Sequence, residues 1–183
     1  MAGMHCPMRF AYADPPYIRQ AKRHYGHDAR CAEVNHRVLL GYLCENFDGW
    51  ALSASSSSLR EILMLDTCPQ DVRIASWVKP FAAFKPNVNP AFTWEPVLFY
   101  GGRKRDRKEP TVKDHVIESI TMRKGLAGAK PVKFCYWMFG LLGAQEGDEF
   151  TDVFPGTGIV SLAWASFSQP RSEVQTSLAW GCA

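Results

Sequence analysis

Two short stretches carry residue types that could do chemistry together. The first is Asp14-Pro15-Pro16-Tyr17, directly after an apolar run. An exocyclic amino group on a nucleobase is conjugated with its ring and is a poor nucleophile. A carboxylate at Asp14 can accept one of its N–H bonds, and the carbonyl of Pro15, on a backbone stiffened by Pro16, can accept the other. Held by both, the nitrogen lone pair is turned out of the ring plane towards an electrophile. Tyr17 offers a face on which the base stacks, worth on the order of 1–3 kcal/mol. Taken alone, the four residues fit a proline-rich turn as well as they fit this task.

The second stretch is Asp152-Val153-Phe154-Pro155-Gly156-Thr157-Gly158. Glycines between a strand and a helix let a ligand approach the backbone, and the free N–H groups of a helix start favour a carboxylate or phosphate. Only Gly156 and Gly158 fit the dinucleotide fingerprint G-x-G-x-x-G, which argues against nicotinamide. A tight strand-to-helix turn without a ligand is the competing reading.

These stretches need elements to hold them. Residues 8–13 form a strand candidate that stops at the two prolines. Apolar positions 34, 38, 39, 42 and 43 have helical spacing over 34–47. Residues 50–53 read as a strand. Ser55 to Ser58 read as a loop and N-cap before a helix over 59–65. Strands are expected at 72–78 and 96–100, separated by a proline-bearing loop, 79–94. Lys130-Pro131 opens an almost wholly apolar, hence buried, helix reaching Leu142 and closed by Gly143 or Gly147. A strand over 149–154 feeds the glycine turn and a helix over 159–167, and a short strand is expected near 174–180. The alternation predicts an α/β fold with a mostly parallel sheet, whose strand ends are where such folds place ligand groups.

The whole chain is 183 residues with ordinary apolar (46%) and charged (21%) content, which excludes disordered, collagen-like and coiled-coil classes. One domain over 1–183 is expected, with 79–129 as a small substrate-contacting insertion. No apolar run approaches the ~20 residues of a membrane span, and the first residues lack a signal-peptide layout, so a cytoplasmic protein is expected. Net charge is +3. Residues 101–113 alone hold Arg103, Lys104, Arg105, Arg107, Lys108 and Lys113 against Asp106 and Glu109, a local +4 that suggests contact with a polyanion or a solvated charged loop. The six cysteines form no C-x-x-C pair and read as reduced, with Cys135 a small core residue. His24 and His27 lack a second pair at zinc spacing, so no metal is expected.

Together the two stretches resemble the amino-methyltransferases that act on adenine N6 or cytosine N4 with S-adenosylmethionine, in which a D-P-P-Y motif holds the amine and a D-x-F-x-G-x-G motif binds the cofactor. Lys130-Pro131 match the family's Lys-Pro pair before the helix that leads into the cofactor strand. Trp77-Val78-Lys79 and Glu95-Pro96-Val97-Leu98 are similar to the region between the motifs. The resemblance spans residues 9–167, with the amine motif first, as in the circularly permuted β-type order. It implies a Rossmann-like methyltransferase fold and direct transfer from sulfonium to nitrogen without a metal. Asp14, Pro15, Pro16 and Tyr17 would be catalytic. Asp152, Phe154, Pro155, Gly156, Thr157 and Gly158, with Lys130 and Pro131, would hold the cofactor. Arg103, Lys104, Arg105, Arg107 and Lys108 would bind nucleic acid. The aspartate in the first motif position is more similar to the adenine-specific members, so N6-adenine methylation of DNA is expected. The same chemistry on RNA, N4-cytosine methylation, a small-molecule substrate and a non-catalytic nucleic-acid-binding subunit are the alternatives. A homodimer or a partner subunit supplying target recognition is compatible with the small size. Glu173 is the acidic residue available after Gly158 for a cofactor ribose.

Overall fold

The computed structural model describes residues 6–16, 34–81, 86–120 and 129–169. Tyr17, the histidine pair, Cys31, Cys182, Glu173 and the strand expected at 174–180 lie outside these residues. In chain order the elements are β1 (Arg9–Ala13), α1 (His36–Asn46), β2 (Gly49–Ser53), α2 (Leu59–Leu63), β3 (Arg73–Val78), β4 (Trp94–Gly101), β5 (His115–Ile117), α3 (Val132–Leu142), β6 (Glu149–Asp152) and α4 (Ile159–Phe167).

The six strands form one sheet in the order β5-β3-β4-β2-β1-β6. β1 pairs parallel with β2 and β6, and β3 with β5, while β4 runs antiparallel to β2 and β3. Five strands therefore share one direction and β4 alone opposes them, in keeping with a mostly parallel sheet. Alternation along β1 sends Phe10 and Tyr12 to one face and Ala11 and Ala13 to the other. α3 and α4 cover the first face through Phe134, Met138, Phe139, Leu142, Val160 and Ala163. α1 and α2 cover the second through Leu39, Leu40, Leu43 and Ile62.

Local sequence explains the element ends. Asn35 caps α1, its Oδ1 accepting from the Arg37 and Val38 amides at 3.0 and 3.2 Å. The buried stripe of α1 is His36, Leu39, Leu40 and Leu43, whereas Val38 and Tyr42, expected on that stripe, are exposed. Leucines 39, 40 and 43 bury a face that cannot also turn Val38 inward. Ahead of α2, it is Ser55 whose hydroxyl accepts from the Ser58 amide; α2 itself is shorter than expected, stopping at Leu63. α3 begins after Pro131 and ends at Gly143, in the left-handed region at φ 66°. β4 extends past the expected 96–100 at both ends because Trp94 and Glu95 pair with Val78 and Trp77 of β3, and Gly101 pairs with Gly49 of β2. β5 was not expected: three residues without local pattern become a strand through pairing with Ser76–Val78. No helix among the described residues is long and apolar enough to cross a membrane.

Candidate functional site

The geometry at the carboxyl ends of β1 and β6 brings the two chemical stretches together. Tyr12 of β1 is in register with Asp152 of β6, and the Val153 amide donates to the Tyr12 carbonyl at 2.9 Å. Asp14 follows two residues after Tyr12. From β1 the chain continues to α1 on one face of the sheet, and from β6 it continues to α4 on the other. A crevice opens between adjacent parallel strands where their following helices diverge, and this is where doubly wound folds bind ligands.

Asp14 is partly buried, its side chain 26% exposed. Burial raises its carboxyl above the ordinary carboxylate range, and the ammonium of Lys130 opposes that rise. Lys130 Nζ lies 3.2 Å from Asp14 Oδ1 and 3.4 Å from Glu95 Oε2. It also sits 5.0 Å from the Trp77 ring centre and 5.6 Å from that of Phe134. Glu95 forms a second ion pair with Lys79, whose ammonium lies 4.9 Å from the Trp77 ring centre. Pro15 is buried and Pro16 half-buried.

Asp152 is different. Both its carboxylate oxygens are buried and neither has a hydrogen-bond partner among the described residues. Burial pushes its carboxyl up to about 6, the Asp14 charge pushes the same way, and the Phe154 amide offsets only part. A buried carboxylate without a partner is costly, so it marks a place that a cationic or N–H-bearing ligand satisfies. The following turn is open. Gly156 and Gly158 sit at φ +46° and +73°, conformations that favour glycine. A Cβ on Gly158 would meet no atom within 4 Å, and one on Gly156 only the Phe154 carbonyl oxygen at 3.8 Å. Gly158 also serves as the N-cap of α4. An orphaned carboxylate beside an open glycine turn and a helix start suits an amino-acid-like group carrying both an amine and a carboxylate.

The basic segment is elsewhere. β4 runs against the other strands, so its end, Gly101, pairs with Gly49 at the beginning of β2. Arg103 to Lys108 therefore leave the sheet at the end opposite Asp14, roughly 20 Å away along β4 at ~3.3 Å per residue. Arg103 is an internal strut: it bonds Asp148 Oδ1 at 2.6 Å, and Asp148 is 2% exposed and also accepts from the Met8 and Gln145 amides. Arg105 bonds the Pro110 and Gly140 carbonyls. Lys104, Arg107 and Lys108 are exposed.

Glu95, Lys79 and Trp77 join the site without being among the residues expected in it. The signal is the β3–β4 register, which sets Trp77 opposite Glu95 and is invisible before the strands are paired. Cys135 is buried in α3, with its thiol pushed up to about 12 by burial.

This sheet with its flanking helices has the α/β architecture of S-adenosylmethionine-dependent methyltransferases. Among solved structures, the chain is similar to M1.HpyAVI in complex with SAM, with TM-score 0.59 and 13% identity over 89% of this chain and 80% of that one. A second structure of M1.HpyAVI aligns with TM-score 0.58 and 13% identity over 88% of this chain and 78% of that one. No family model and no curated protein matches the chain.

Proposed function

We propose that the protein is an S-adenosylmethionine-dependent methyltransferase that methylates the exocyclic N6 amino group of adenine in DNA. The observation that carries the reading is the pairing of Asp14 and Asp152 at adjacent parallel strand ends, one carboxylate held by a lysine and the other unsatisfied. Similarity in fold to M1.HpyAVI in complex with SAM supports the cofactor. The residues present fit the cofactor: Asp152 would accept from its amine, and the Phe154–Gly158 turn and the start of α4 would face its carboxylate, with Pro131 beside them. When bound, S-adenosylmethionine supplies an electrophilic methyl group on a sulfonium centre.

The chain's own residues account for the rest. Asp14 accepts one N–H of the adenine amine and the Pro15 carbonyl accepts the other, which removes the lone pair from ring conjugation. Tyr17, next in sequence, would stack on the extruded base. As the N–methyl bond forms, the nitrogen acquires positive charge, which the Asp14 carboxylate stabilises at short range in a partly desolvated site. The excess proton then leaves the nitrogen through its bond to Asp14. No cysteine nucleophile is needed.

A tritiated-methyl transfer assay across DNA, RNA and free nucleosides tests the reading, followed by mass spectrometry of the digested product. N6-methyladenine from DNA is the expected result. Methylcytosine as sole product would reassign the base, and transfer only to RNA would reassign the polymer. No transfer to any of them, from folded protein that binds the cofactor, would leave the binding-subunit alternative.

A further inference from the structure

Residues far from Asp14 in sequence meet beside it. Lys130, just before α3, is 7% exposed at its side chain and bonds both Asp14 Oδ1 and Glu95 Oε2. Glu95, at the start of β4, is 17% exposed and takes Lys79, from the end of β3, on its other oxygen. The two ammonium groups lie against Trp77, and Lys130 also against Phe134. Among the described residues, the cluster holds two acids, Asp14 and Glu95, and two bases, Lys79 and Lys130.

We propose that Lys130 and Glu95 are positioning residues for Asp14: Glu95 fixes the Lys130 ammonium, and Lys130 holds Asp14 by Oδ1, leaving Oδ2 directed to the substrate amine. The inference rests on the methyl-transfer reading above, but its structural half stands without it. A carboxylate is free to rotate about its Cβ–Cγ bond until one oxygen is pinned. A buried ammonium pins it only if its own position is set, and Lys130 reaches Asp14 from a long flexible stem. Glu95 and the two rings supply the further contacts that define where Nζ sits.

The same geometry decides the protonation of Asp14, which must be a carboxylate to accept an N–H. Among the described residues, the charged groups facing it are Lys130 just before α3, Lys79 just after β3, Glu95 of β4 and Asp152 of β6. Burial, and after it the Glu95 charge, raise the Asp14 carboxyl, while Lys130 and Lys79 lower it. Removing the Lys130 charge therefore keeps Asp14 protonated to higher pH, where it would donate rather than accept. Removing the Glu95 charge acts oppositely on Asp14 while loosening Lys130. The two substitutions should move the same titration in opposite directions, which loss of packing alone would not do.

The test uses the full chain with Lys130→Met, Lys130→Arg and Glu95→Gln. Single-turnover methyl transfer at saturating cofactor and DNA is followed against pH. In parallel, the ¹³C carboxyl resonance of Asp14, assigned by its disappearance in Asp14→Asn, is titrated in the ligand-free protein. Lys130→Met is expected to lower the rate at pH 7 by about tenfold or more. It should shift the acid limb and the Asp14 resonance about one pH unit upward. Lys130→Arg should restore the position of both. Glu95→Gln should lower the rate yet shift both downward. An active wild type whose acid limb and Asp14 titration are unmoved in Lys130→Met overturns the inference, as do shifts of the same sign in Lys130→Met and Glu95→Gln. If Lys130→Met does not fold, the Lys130→Arg and Glu95→Gln titrations decide: an Asp14 resonance unmoved by Glu95→Gln overturns it. If wild type transfers no methyl group, the functional reading fails, and the resonance titration still decides the coupling.

Discussion

Replacing Asp152 by Asn should stabilise the protein and at the same time disable its cofactor site. The carboxylate is buried without a hydrogen-bond partner among the described residues, and its pKa is raised from 3.8 to about 6. Holding such a group ionised at pH 7 costs about 3 kcal/mol of folding free energy. The asparagine amide inherits the same dry surroundings and gives back roughly 1–2 kcal/mol through its own unmet hydrogen bonds. A net gain of about 1–2 kcal/mol remains, or roughly 2–8 °C in Tm for a chain of this size. The sign with pH is fixed: between about pH 4 and 6 the folded state binds more protons than the unfolded state, so the wild type loses stability as pH rises through this window. The advantage of Asp152→Asn should therefore be full above about pH 6 and fade towards pH 4. Urea denaturation of both proteins from pH 4 to 8 measures it, and calorimetry with S-adenosylmethionine should show affinity reduced about tenfold or more in the variant. A variant no more stable than wild type at pH 7, or an advantage that grows as pH falls, would refute the view of Asp152 as an unsatisfied buried carboxylate. Unchanged cofactor affinity would refute its assignment to the cofactor.

Asp14→Ala should abolish methyl transfer, by a factor of about 10² or more, while leaving cofactor affinity within a few-fold of wild type by calorimetry. Gly156→Val forces a β-branched residue to φ +46° at a position with open space around it, so the fold should survive by circular dichroism while cofactor binding is lost. Arg103→Ser should destabilise the protein by about 1–3 kcal/mol in denaturant titrations, because it removes the charged partner of the buried Asp148 carboxylate and leaves it only the Met8 and Gln145 amides. Replacing exposed Lys104, Arg107 and Lys108 together by Ser should instead spare stability and the single-turnover rate. It should lower the slope of log DNA affinity against log salt by about 2–3, and an unchanged slope would assign these residues to solubility.

Much of this molecule is legible in the chain itself. The prolines after Ala13 end β1 because they neither donate to a ladder nor continue a helix, so Asp14 is placed at a strand end by local chemistry alone. Gly156 and Gly158 mark the turn before α4 for an equally local reason, their positive φ. The apolar stretch 132–142 announces a buried helix, and the structure buries Phe134, Cys135, Met138, Phe139 and Leu142 in it. Where expectation and structure part, the cause is pairing at a distance. β5 has no pattern of its own and exists through β3. Val38 falls outside the buried face of α1 because the core selects Leu39, Leu40 and Leu43.

The candidate site divides along the same line. Sequence determined which groups could do the chemistry, Asp14 and the Asp152–Gly158 turn, since residue type and the backbone limits of proline and glycine are properties of a few adjacent residues. Tertiary structure decided which groups act on them. The antiparallel run of β4 carries Glu95 to the Asp14 end and the 103–108 cluster to the far end, so a charge run that reads as part of the site is separated from it by the length of a strand. Lys130 turns to Asp14 and Glu95 because α3 packs across the sheet face that both share. Coulombic coupling depends on distance through space, and distances between residues 14, 95 and 130 are set only when the sheet register is set.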